Sequence, residues 1–458
     1  MTDTPTPKKT LSIKPRPPSD TTAPGKSGRG QAPAKKSGAR AHQQARNAAE
    51  QKKKAPVTER VITSKDTARA TRHRGATETE IFSIFAPCPR GLEDVLTTEL
   101  QGLGFSGVTK GRAGCHFEGN WRAIQEANLH SRLATRILVQ LAHRPVKTEA
   151  DIMALAFDTE WERWIGPEMT LRVDTSAIHS PMKSLQYCNL VAKDGICDRI
   201  RSREGARPSI DTVRPDARVH LFLSDTTATL YLDTSGESLF KRGWRFDKGE
   251  APIRENLAAG LLALAGWQPE TPLLDPFCGS GTILIEAAWM ALNIPPGINR
   301  PFGFERLRHH HMSAWQDIRK EATAAIKKEP PAPLFGSDLS PAAIEAARSN
   351  MQRAGLAQET IAFSVANACS VTAPVPKGMI LTNPPYGERL TAEEPWMSQW
   401  AAQLKQSFTG WSVFVISDDT GLPGHLRLKP RLRTPVFNGA LDCRLYAFEM
   451  VADSYRSK

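Results

Sequence analysis

The chain is poor in cysteine, and no two cysteines stand at a metal-binding spacing. Seven cysteines occur in 458 residues, without a Cys-x-x-Cys pair. The sequence therefore argues against a disulfide framework and a structural zinc site, and it favours a reducing compartment, the cytoplasm. His309, His310 and His311 do not change this expectation, because three adjacent residues of regular structure cannot all face one ion. We expect no metal.

Long apolar stretches are also absent. No apolar run reaches the roughly 18 residues of a membrane-spanning helix, and the charged amino terminus has no apolar core of the kind found in secretory signals. We expect neither a membrane span nor a membrane partner.

Positive charge is concentrated at the amino terminus. Residues 1–75 hold 18 Lys and Arg against 5 Asp and Glu, which leaves 42 against 43 for the rest of the chain. This segment has few aliphatic residues and cannot bury a core, so we predict a disordered basic tail over residues 1–78. Two roles are open for it: a solubilising arm, or a salt-sensitive tether to a polyanion such as RNA.

Residues 81–240 show a mixed pattern. A short strand and a Pro/Gly turn precede a helix whose apolar residues, from Leu92 to Leu103, recur every three to four positions. A second helix is predicted over residues 121–142. Alternating strands follow at residues 169–176 and 220–236, with a hairpin near Ser224 to Thr226. We predict an α+β region of small sheets with helices on one side.

From about residue 250 strands alternate with helices, which predicts an α/β domain with a parallel, doubly wound sheet. Such sheets bind ligands at the carboxyl ends of their strands. The unusual loops of this region all lie at such ends. Residues 293–332, rich in Pro, Arg and His, are predicted to be an insertion between the first helix and the second strand.

The loop "LLDPFCGSGT", residues 273–282, places Gly279 and Gly281 between a strand and a helix. Glycine there permits positive φ and a close approach of a ligand to the backbone. The loop lacks the Gly-Lys-Ser/Thr of a Walker loop and the third glycine of a dinucleotide fingerprint. Asp275 would repel a pyrophosphate but attract a cation such as a sulfonium amino acid. Asp338, at the end of the second strand, is placed to accept ribose hydroxyls.

A second unusual loop, "TNPPYGERL", follows the apolar run Met379 to Leu381. An exocyclic amine of a nucleobase is a poor nucleophile, because its lone pair is delocalised into the ring. Two acceptors, the Asn383 side-chain oxygen and the Pro384 carbonyl, can take both N–H bonds and aim the lone pair at a methyl carbon. Pro385 stiffens this turn, and Tyr386 can stack on an extruded base.

These motifs resemble those of the class I S-adenosylmethionine-dependent methyltransferases: "DPFCGSGT" matches their first motif and "NPPYGERL" their amino-methylating motif. The stretches "PRGLEDVLTTEL", "KDGICDRIR", "SGESLFKRGWR", "APIRENLAAGLL" and "NGALDC" resemble THUMP-containing RNA methyltransferases. The similarity is greatest to the RlmL type, which makes N2-methylguanine in bacterial 23S rRNA. It covers residues 81–453, that is, everything except the tail.

The resemblance implies four parts: the disordered tail 1–78, a ferredoxin-like region 79–145, a THUMP RNA-binding domain 146–240, and a Rossmann-like, seven-stranded methyltransferase domain 241–458. It implies S-adenosylmethionine as the cofactor and RNA as the partner. The first candidate for this RNA is 23S rRNA, free or in a pre-50S particle, and a tRNA is the alternative. Asn383, Pro384, Pro385 and Tyr386 would hold the target amine. The implied cofactor residues are Asp275, Phe277, Cys278, Gly279, Ser280, Gly281, Asp338, Leu339, Asn367, Ala368, Glu255 and Asn256. Lys193, Arg199 and Arg207 are expected to contact RNA phosphates.

One residue departs from the family pattern. Asn367 stands where the family often has an Asp near the adenine amino group, so we expect weaker adenine recognition. RlmL of some bacteria also carries a second methyltransferase domain, and nothing in these 458 residues supplies that activity.

Alternatives stay open for the substrate and for the class of protein. Enzymes with the Asn-Pro-Pro-Tyr motif also methylate DNA adenine N6 or protein glutamine. The separate 81–240 region favours RNA over both. A tRNA guanine is the nearest rival, because THUMP domains also serve tRNA enzymes. The chain could instead be a non-catalytic RNA-binding factor of ribosome assembly. The intact Asp275, Gly279, Asp338 and Asn383 argue against that reading.

Overall fold

The computed structural model describes residues 79–246, 253–385 and 396–451. The predicted tail and Tyr386 lie outside these ranges. The described residues form an eight-stranded sheet in the amino-terminal half and a seven-stranded sheet in the carboxy-terminal half. No helix in these ranges has both the length and the apolarity needed to cross a bilayer.

The eight-stranded sheet joins the two amino-terminal regions that the resemblance separates. Its strand order is β2-β3-β1-β4-β8-β7-β5-β6, and pairing of β4 with β8 makes it continuous. The sequence predicted several small sheets, whereas the structure has one continuous sheet. The prediction failed because pairing between strands that are distant in sequence is not visible in local periodicity. The strands are β1 (Phe82–Pro87), β2 (Ser106–Gly111), β3 (Gly114–Gly119), β4 (Leu138–Pro145), β5 (Thr170–Ala177), β6 (Ser209–Ile210), β7 (Ala217–Leu223) and β8 (Thr227–Asp233).

Four helices belong to this half: α1 (Glu93–Gly102), α2 (Trp121–His130), α3 (Glu149–Asp158) and α4 (Leu185–Glu204). The helix predicted over residues 121–142 is wrong in its second half. Asn120 caps α2 by accepting the backbone N–H of Ala123, but Ser131 takes extended backbone angles and β4 begins at Leu138. The predicted hairpin is confirmed, since β7 and β8 are joined by residues 224–226.

The seven-stranded sheet has the order β11-β10-β9-β12-β13-β15-β14, with β15 antiparallel to both of its neighbours. Its strands are β9 (Leu273–Asp275), β10 (Leu334–Asp338), β11 (Ala362–Val365), β12 (Met379–Thr382), β13 (Ser412–Ser417), β14 (Leu432–Asn438) and β15 (Leu441–Glu449). The helices are α5 (Glu255–Leu264), α6 (Thr282–Ala291), α7 (Met312–Ala324), α8 (Pro341–Arg353), α9 (Trp396–Ser407) and α10 (Leu422–His425). β9 to β13 pair in parallel, which confirms the predicted doubly wound domain.

The insertion at residues 293–332 contains a 3₁₀ turn (Gly303–Arg306) and α7, and it contacts the amino-terminal half. The Phe304 N–H donates to the Thr234 carbonyl at 2.9 Å, and Arg306 Nη2 donates to the Pro215 carbonyl at 3.1 Å. Arg308 forms ion pairs with Glu168 and Glu204. The insertion is therefore a contact element that ties the two halves together.

A single hydrophobic cluster runs from Phe82 to Ala447 and includes side chains of both sheets. A fully buried ion pair lies within the same contact region: Arg242 Nε is 3.1 Å from Glu286 Oε1, and neither side chain is exposed. Arg242 Nη2 also donates to the Arg132 carbonyl at 2.6 Å, which satisfies a further donor. The two halves thus share this cluster, and a second cluster around Ile380 and Trp400 lies within the carboxy-terminal half.

Candidate active site

Four parallel strands bring the predicted site residues to one edge of the seven-stranded sheet. Asp275 ends β9 and Asp338 ends β10. Asn367 follows β11 by two residues, and Asn383 follows β12 directly. Because the carboxyl ends of parallel neighbours lie at the same edge, the loops beyond these strands share one crevice.

Asp275 lies at the centre of this edge and is buried, with 2% of its surface exposed. Its Oδ1 accepts the hydroxyl of Thr382 at 2.6 Å and the N–H of Phe277 at 3.1 Å. Burial raises the pKa of Asp275 to about 7, and the nearby Asp338 carboxylate adds to the shift. Sequence reasoning missed Thr382, although a hydroxyl residue directly before Asn383 was a visible signal.

The glycine loop adopts the backbone angles that the sequence indicated. Gly279 has φ +52° and Gly281 has φ +81°. A Cβ on Gly281 would come within 3.1 Å of Ala347 and of the Phe363 ring, whereas a Cβ on Gly279 would meet open space. Between them Ser280 is buried, and its carbonyl accepts a hydrogen bond from the Asn350 side chain at 3.1 Å. Gly281 is therefore a packing glycine, and Gly279 faces a space next to the loop.

Cys278, the residue before Gly279, is buried, and burial raises the pKa of its thiol. Its N–H donates to the Ser337 carbonyl at 2.9 Å, which joins the loop to β10. The thiol is therefore packed as a small apolar group of the loop.

Asp338 connects the glycine loop to the next helix. Its Oδ2 accepts the Gly279 N–H at 3.0 Å, and its Oδ1 accepts the Ser340 N–H at 2.9 Å. Ser340 in turn caps α8. Both carboxylate oxygens are thereby oriented by the backbone, and each keeps a further lone pair. Leu339, next to Asp338, is 69% exposed, which is unusual for a leucine and leaves an apolar surface at this edge.

Asn367 and Ala368 form the turn beyond β11. Asn367 Oδ1 accepts the Cys369 N–H at 2.9 Å, so the oxygen predicted to meet an adenine amine already has one donor. An amide oxygen has two lone pairs and can accept a second. Ala368 is buried in the cluster around Ile380 and Trp400.

In the second motif, Asn383 is half-buried, Pro384 is buried and Pro385 is exposed. These residues follow Thr382, so the Thr382–Asp275 hydrogen bond joins the second motif to the first. The role of Tyr386 stays a prediction, because that residue lies outside the described ranges.

Aromatic residues that the sequence analysis did not select pack beside the loop. The ring of Phe277 lies 5.5 Å from the ring of Trp396 and 5.1 Å from that of Trp400. The i, i+4 spacing of the two tryptophans on α9 was the signal that could have found them. They fix Phe277, predicted to line the cofactor, at the edge of the crevice.

Glu255 and Asn256 lie at the start of α5. Glu255 is buried near Arg245, with 3.7 Å between Oε2 and Nη1, and burial raises the pKa of Glu255. The Asn256 amide donates to the Leu133 carbonyl at 3.2 Å. These contacts fix the start of α5 against neighbouring segments, and the assignment of both residues to the cofactor pocket stays a prediction.

The predicted RNA contacts on α4 need one correction. Arg199 is buried and forms a bidentate ion pair with Glu162, with N–O distances of 2.6 and 3.0 Å. It is a packing residue and cannot reach a phosphate from there. Arg207, which lies just beyond the end of α4, is exposed and pairs with Asp198 of that helix, and Lys193 Nζ lies 2.8 Å from Asp194, so both are partly neutralised by acidic residues of α4.

Of the three histidines of the insertion, His309 is buried and packs against aromatic rings, whereas His311 is exposed. The ring of His309 lies 4.7 Å from that of Trp164 and 6.1 Å from that of Trp121. Burial lowers the pKa of His309 to about 4. Within the described ranges, no group of three or more His, Cys, Asp or Glu residues has an arrangement that could hold a metal ion.

Three family models match separate parts of the chain. The RlmL ferredoxin-like domain matches residues 83–138, the THUMP domain residues 146–233, and the RMKL-like methyltransferase domain residues 242–447. Solved structures match across these parts together.

The crystal structure of SMU.472 complexed with SAH is 27% identical, with a TM-score of 0.75 over 83% of this chain and 100% of that one. The crystal structure described as a possible methylase from Clostridium difficile 630 is 28% identical, with a TM-score of 0.75 over 81% of this chain and 98% of that one. A predicted N6-adenine-specific DNA methylase from Listeria monocytogenes is 29% identical, with a TM-score of 0.73 over 81% and 96%.

The fold, the acidic glycine loop and these matches define an S-adenosylmethionine-dependent methyltransferase. The chain combines an RlmL ferredoxin-like domain, a THUMP domain and an RMKL-like methyltransferase domain, which is consistent with a THUMP-containing methyltransferase of the RlmL type.

The crevice fits the cofactor in its chemistry. Asp275 and Asp338 are two nearby carboxylates, and the charge of Asp338 adds to the raised pKa of Asp275. A ligand with an ammonium group would offset this negative charge. The open space at Gly279 and the exposed Leu339 leave room for its remaining parts.

Proposed function

We propose that this protein methylates the exocyclic N2 amine of a guanine in RNA, with 23S rRNA as the first substrate to test. The observation that carries the proposal is the 2.6 Å hydrogen bond from Thr382 to Asp275, because it joins the residue before Asn383 to the residue that precedes the glycine turn. The THUMP and RlmL ferredoxin-like matches support RNA as the substrate class.

Bound S-adenosylmethionine supplies an electrophilic methyl carbon on a sulfonium. The residues of this chain would hold it: Asp275 opposite its ammonium group, Asp338 at the ribose hydroxyls and Asn367 near the adenine. The Gly279 backbone would lie against the amino-acid portion, because a Cβ at Gly279 would meet open space whereas a Cβ at Gly281 would meet Ala347 and Phe363.

The Asn383 side-chain oxygen and the Pro384 carbonyl would accept the two N–H bonds of the guanine amine. This arrangement favours a tetrahedral nitrogen and turns its lone pair toward the methyl carbon. The nitrogen, held by these two acceptors, would take the methyl group that the cofactor supplies, and its extra proton would leave to water. Fixed acceptors lower the barrier without a strong general base.

Two substitutions with opposite signatures test these roles. Asn383→Ala should reduce methylation at least a hundredfold while cofactor affinity stays near wild type, since its oxygen acts only on the amine. Asp275→Ala, in contrast, should act mainly by weakening cofactor binding. Titration calorimetry gives the affinities, and transfer of labelled methyl groups to rRNA gives the rates. Full activity of Asn383→Ala would eliminate the proposed mechanism.

The substrate is tested by mapping methylguanine by mass spectrometry in rRNA and tRNA from a strain that lacks the protein. Loss of one N2-methylguanine from 23S rRNA is expected. Loss from a tRNA would move the assignment to the nearest alternative. Loss of ribosome particles with every methylguanine intact would favour the non-catalytic assembly factor.

A further inference from the structure

Strands β12 and β13 lead side by side to the edge of the sheet that holds the candidate active site. They pair in parallel, with Thr382 opposite Val415. Asn383 is the first residue after β12, and Asp418 is the first residue after β13. Because the carboxyl ends of parallel neighbours lie at one edge, the amide of Asn383 and the carboxylate of Asp418 belong to the same crevice.

Asn383 and Asp418 also share one face of the sheet. Leu381 on β12 and Ile416 on β13 both belong to the hydrophobic cluster that contains side chains of both sheets. Side chains alternate between the two faces along a strand. Asn383 and Asp418 each follow one of these two residues by two positions, so their side chains continue on the same face.

The separation of the two side chains follows from strand geometry. The register of β12 and β13, continued by one residue, puts Asn383 opposite Ile416. Strands about 4.8 Å apart with a rise of about 3.3 Å per residue then put the Cα atoms of Asn383 and Asp418 about 8 Å apart. Side-chain oxygens at such a spacing can each accept a hydrogen bond of about 2.9 Å from neighbouring nitrogens of one base edge.

The backbone next to Asp418 is fixed on both sides. Ser417 is buried, and its hydroxyl accepts the N–H of Asp419 at 3.0 Å. The hydroxyl of Tyr446 donates to the Asp419 carbonyl at 3.2 Å. Asp418 therefore stands on a rigid turn, which is what a residue that reads a ligand requires.

The carboxylates of Asp418 and Asp419 differ in their partners. Asp419 Oδ1 accepts the Gly421 N–H at 2.7 Å, and Asp419 Oδ2 lies 3.0 Å from His425 Nδ1. Asp418 is half-buried, and within the part of the chain that the structure describes no hydrogen bond or ion pair holds its carboxylate. Asp419 thus shapes the turn, whereas the carboxylate of Asp418 is available to a ligand.

A carboxylate beside the acceptor pair distinguishes among the nucleobases that carry an exocyclic amine. In guanine, one ring nitrogen next to the amine is the N1–H donor. In adenine and cytosine, the corresponding ring nitrogen carries no proton and only accepts. An ionised carboxylate is an acceptor only, so it pairs with guanine N1–H and repels the other two bases. Contacts of this kind discriminate strongly, because the wrong base leaves polar groups unpaired.

We propose that Asp418 is a specificity-determining residue that accepts the N1–H of the target guanine while Asn383 and Pro384 accept its amine. Enzymes that act on an extruded base read it by such hydrogen bonds to its Watson–Crick edge. This inference rests on the proposed function, because it assumes that the substrate amine is held by Asn383 and Pro384. It adds a reason, within the methyltransferase domain, for guanine rather than adenine as the target.

The test uses the full chain and the RNA in which mass mapping locates the missing methylguanine. One version of this RNA has guanosine at the target position, and the other has 2,6-diaminopurine, which keeps the 2-amine but has no proton on N1. Wild type should favour the guanosine RNA at least about a hundredfold in kcat/KM. In Asp418→Asn this preference should fall at least tenfold, because an amide can accept from N1–H or donate to an unprotonated N1.

Asp419→Asn is the matched control, since it removes the same charge one residue further along the same turn. It should keep the wild-type preference. Cofactor affinity, measured by calorimetry, checks that both variants are folded.

Three results would overturn the role of Asp418: equal rates of wild type on the two RNAs, an unchanged preference in Asp418→Asn, or an equal shift in Asp419→Asn. The first of these needs no variant. If wild type methylates the guanosine RNA and one of these results is found, only this inference fails. If wild type does not methylate the guanosine RNA, the proposed function itself fails.

Discussion

A single carboxyl group, Asp275, makes the methyltransferase edge sensitive to pH. It is buried, and its pKa is raised to about 7. The folded protein therefore keeps a proton that the unfolded chain, with an ordinary carboxyl pKa near 4, releases. The resulting stabilisation is complete below about pH 4 and is lost as the pH rises to about 7.

We predict that wild type loses stability relative to Asp275→Asn between pH 4.5 and 7.5, because the amide has no proton to lose. Saturating S-adenosylmethionine should flatten the wild-type slope, because an ammonium group beside the carboxylate would replace the proton. Urea unfolding with and without cofactor measures both effects. Identical pH profiles of the two proteins would show that Asp275 is ionised throughout.

At the same scale, the sequence could predict the residue types of the site but not their partners. Asp275, Asp338 and Asn383 were found because each stands at a strand end with a chemical reason for its type. Thr382 was missed because its role depends on adjacency of β9 and β12, which are over a hundred residues apart. Arg199 was misjudged because exposure depends on Glu162, in a different segment.

At the scale of the element, the strand–loop–helix from β9 to α6 contains two glycines with different functions. Both have positive φ, which costs an alanine about 1–2 kcal/mol. Gly281 additionally lies against Ala347 and Phe363, whereas Gly279 faces open space.

We predict that Gly281→Ala destabilises the fold by more than the backbone cost alone and that Gly279→Ala destabilises it by about that cost. Cofactor affinity should fall in Gly279→Ala, because its methyl group would enter the space in front of the loop. Thermal unfolding and calorimetry separate the two effects. A Gly279→Ala protein with unchanged affinity would argue that the cofactor keeps away from this backbone.

The type and order of strands and helices could be predicted better for the carboxy-terminal α/β domain than for the amino-terminal half. β9, β10 and β12 are short, apolar and followed by distinctive loops, so their type and order could be read directly. The helix predicted over residues 121–142 was too long because the apolar residues of β4 continue the spacing of α2. The eight-stranded sheet depends on β4–β8 pairing across some ninety residues, and no local pattern encodes it.

At the scale of the whole molecule, the buried Arg242–Glu286 pair lies within the region where the two halves meet. Arg242→Met should destabilise the protein by about 3–5 kcal/mol, because the buried Glu286 carboxylate would lose its direct ion-pair partner. The double variant Arg242→Met/Glu286→Leu should recover most of this loss. Denaturant unfolding measures the three proteins, and a double variant no better than the single would mean that packing, not charge, is decisive.

The basic tail is also a property of the whole chain. Deleting residues 1–75 removes a net thirteen positive charges and should leave methyl transfer to saturating RNA unchanged. RNA affinity should fall, most visibly at low salt, because screening hides the contribution at high salt. Salt titrations of the full and truncated chains test this, and superimposable curves would leave only a solubilising role.

The hydrophobic cluster that runs from Phe82 to Ala447 has a practical consequence. Either half, produced alone, would expose to solvent the apolar side chains that it buries against the other half. If the chain were divided between Phe246 and Ile253, the two polypeptides would therefore expose complementary apolar surfaces. When the two fragments are co-expressed, they should associate, and recovered methyltransferase activity would measure that association.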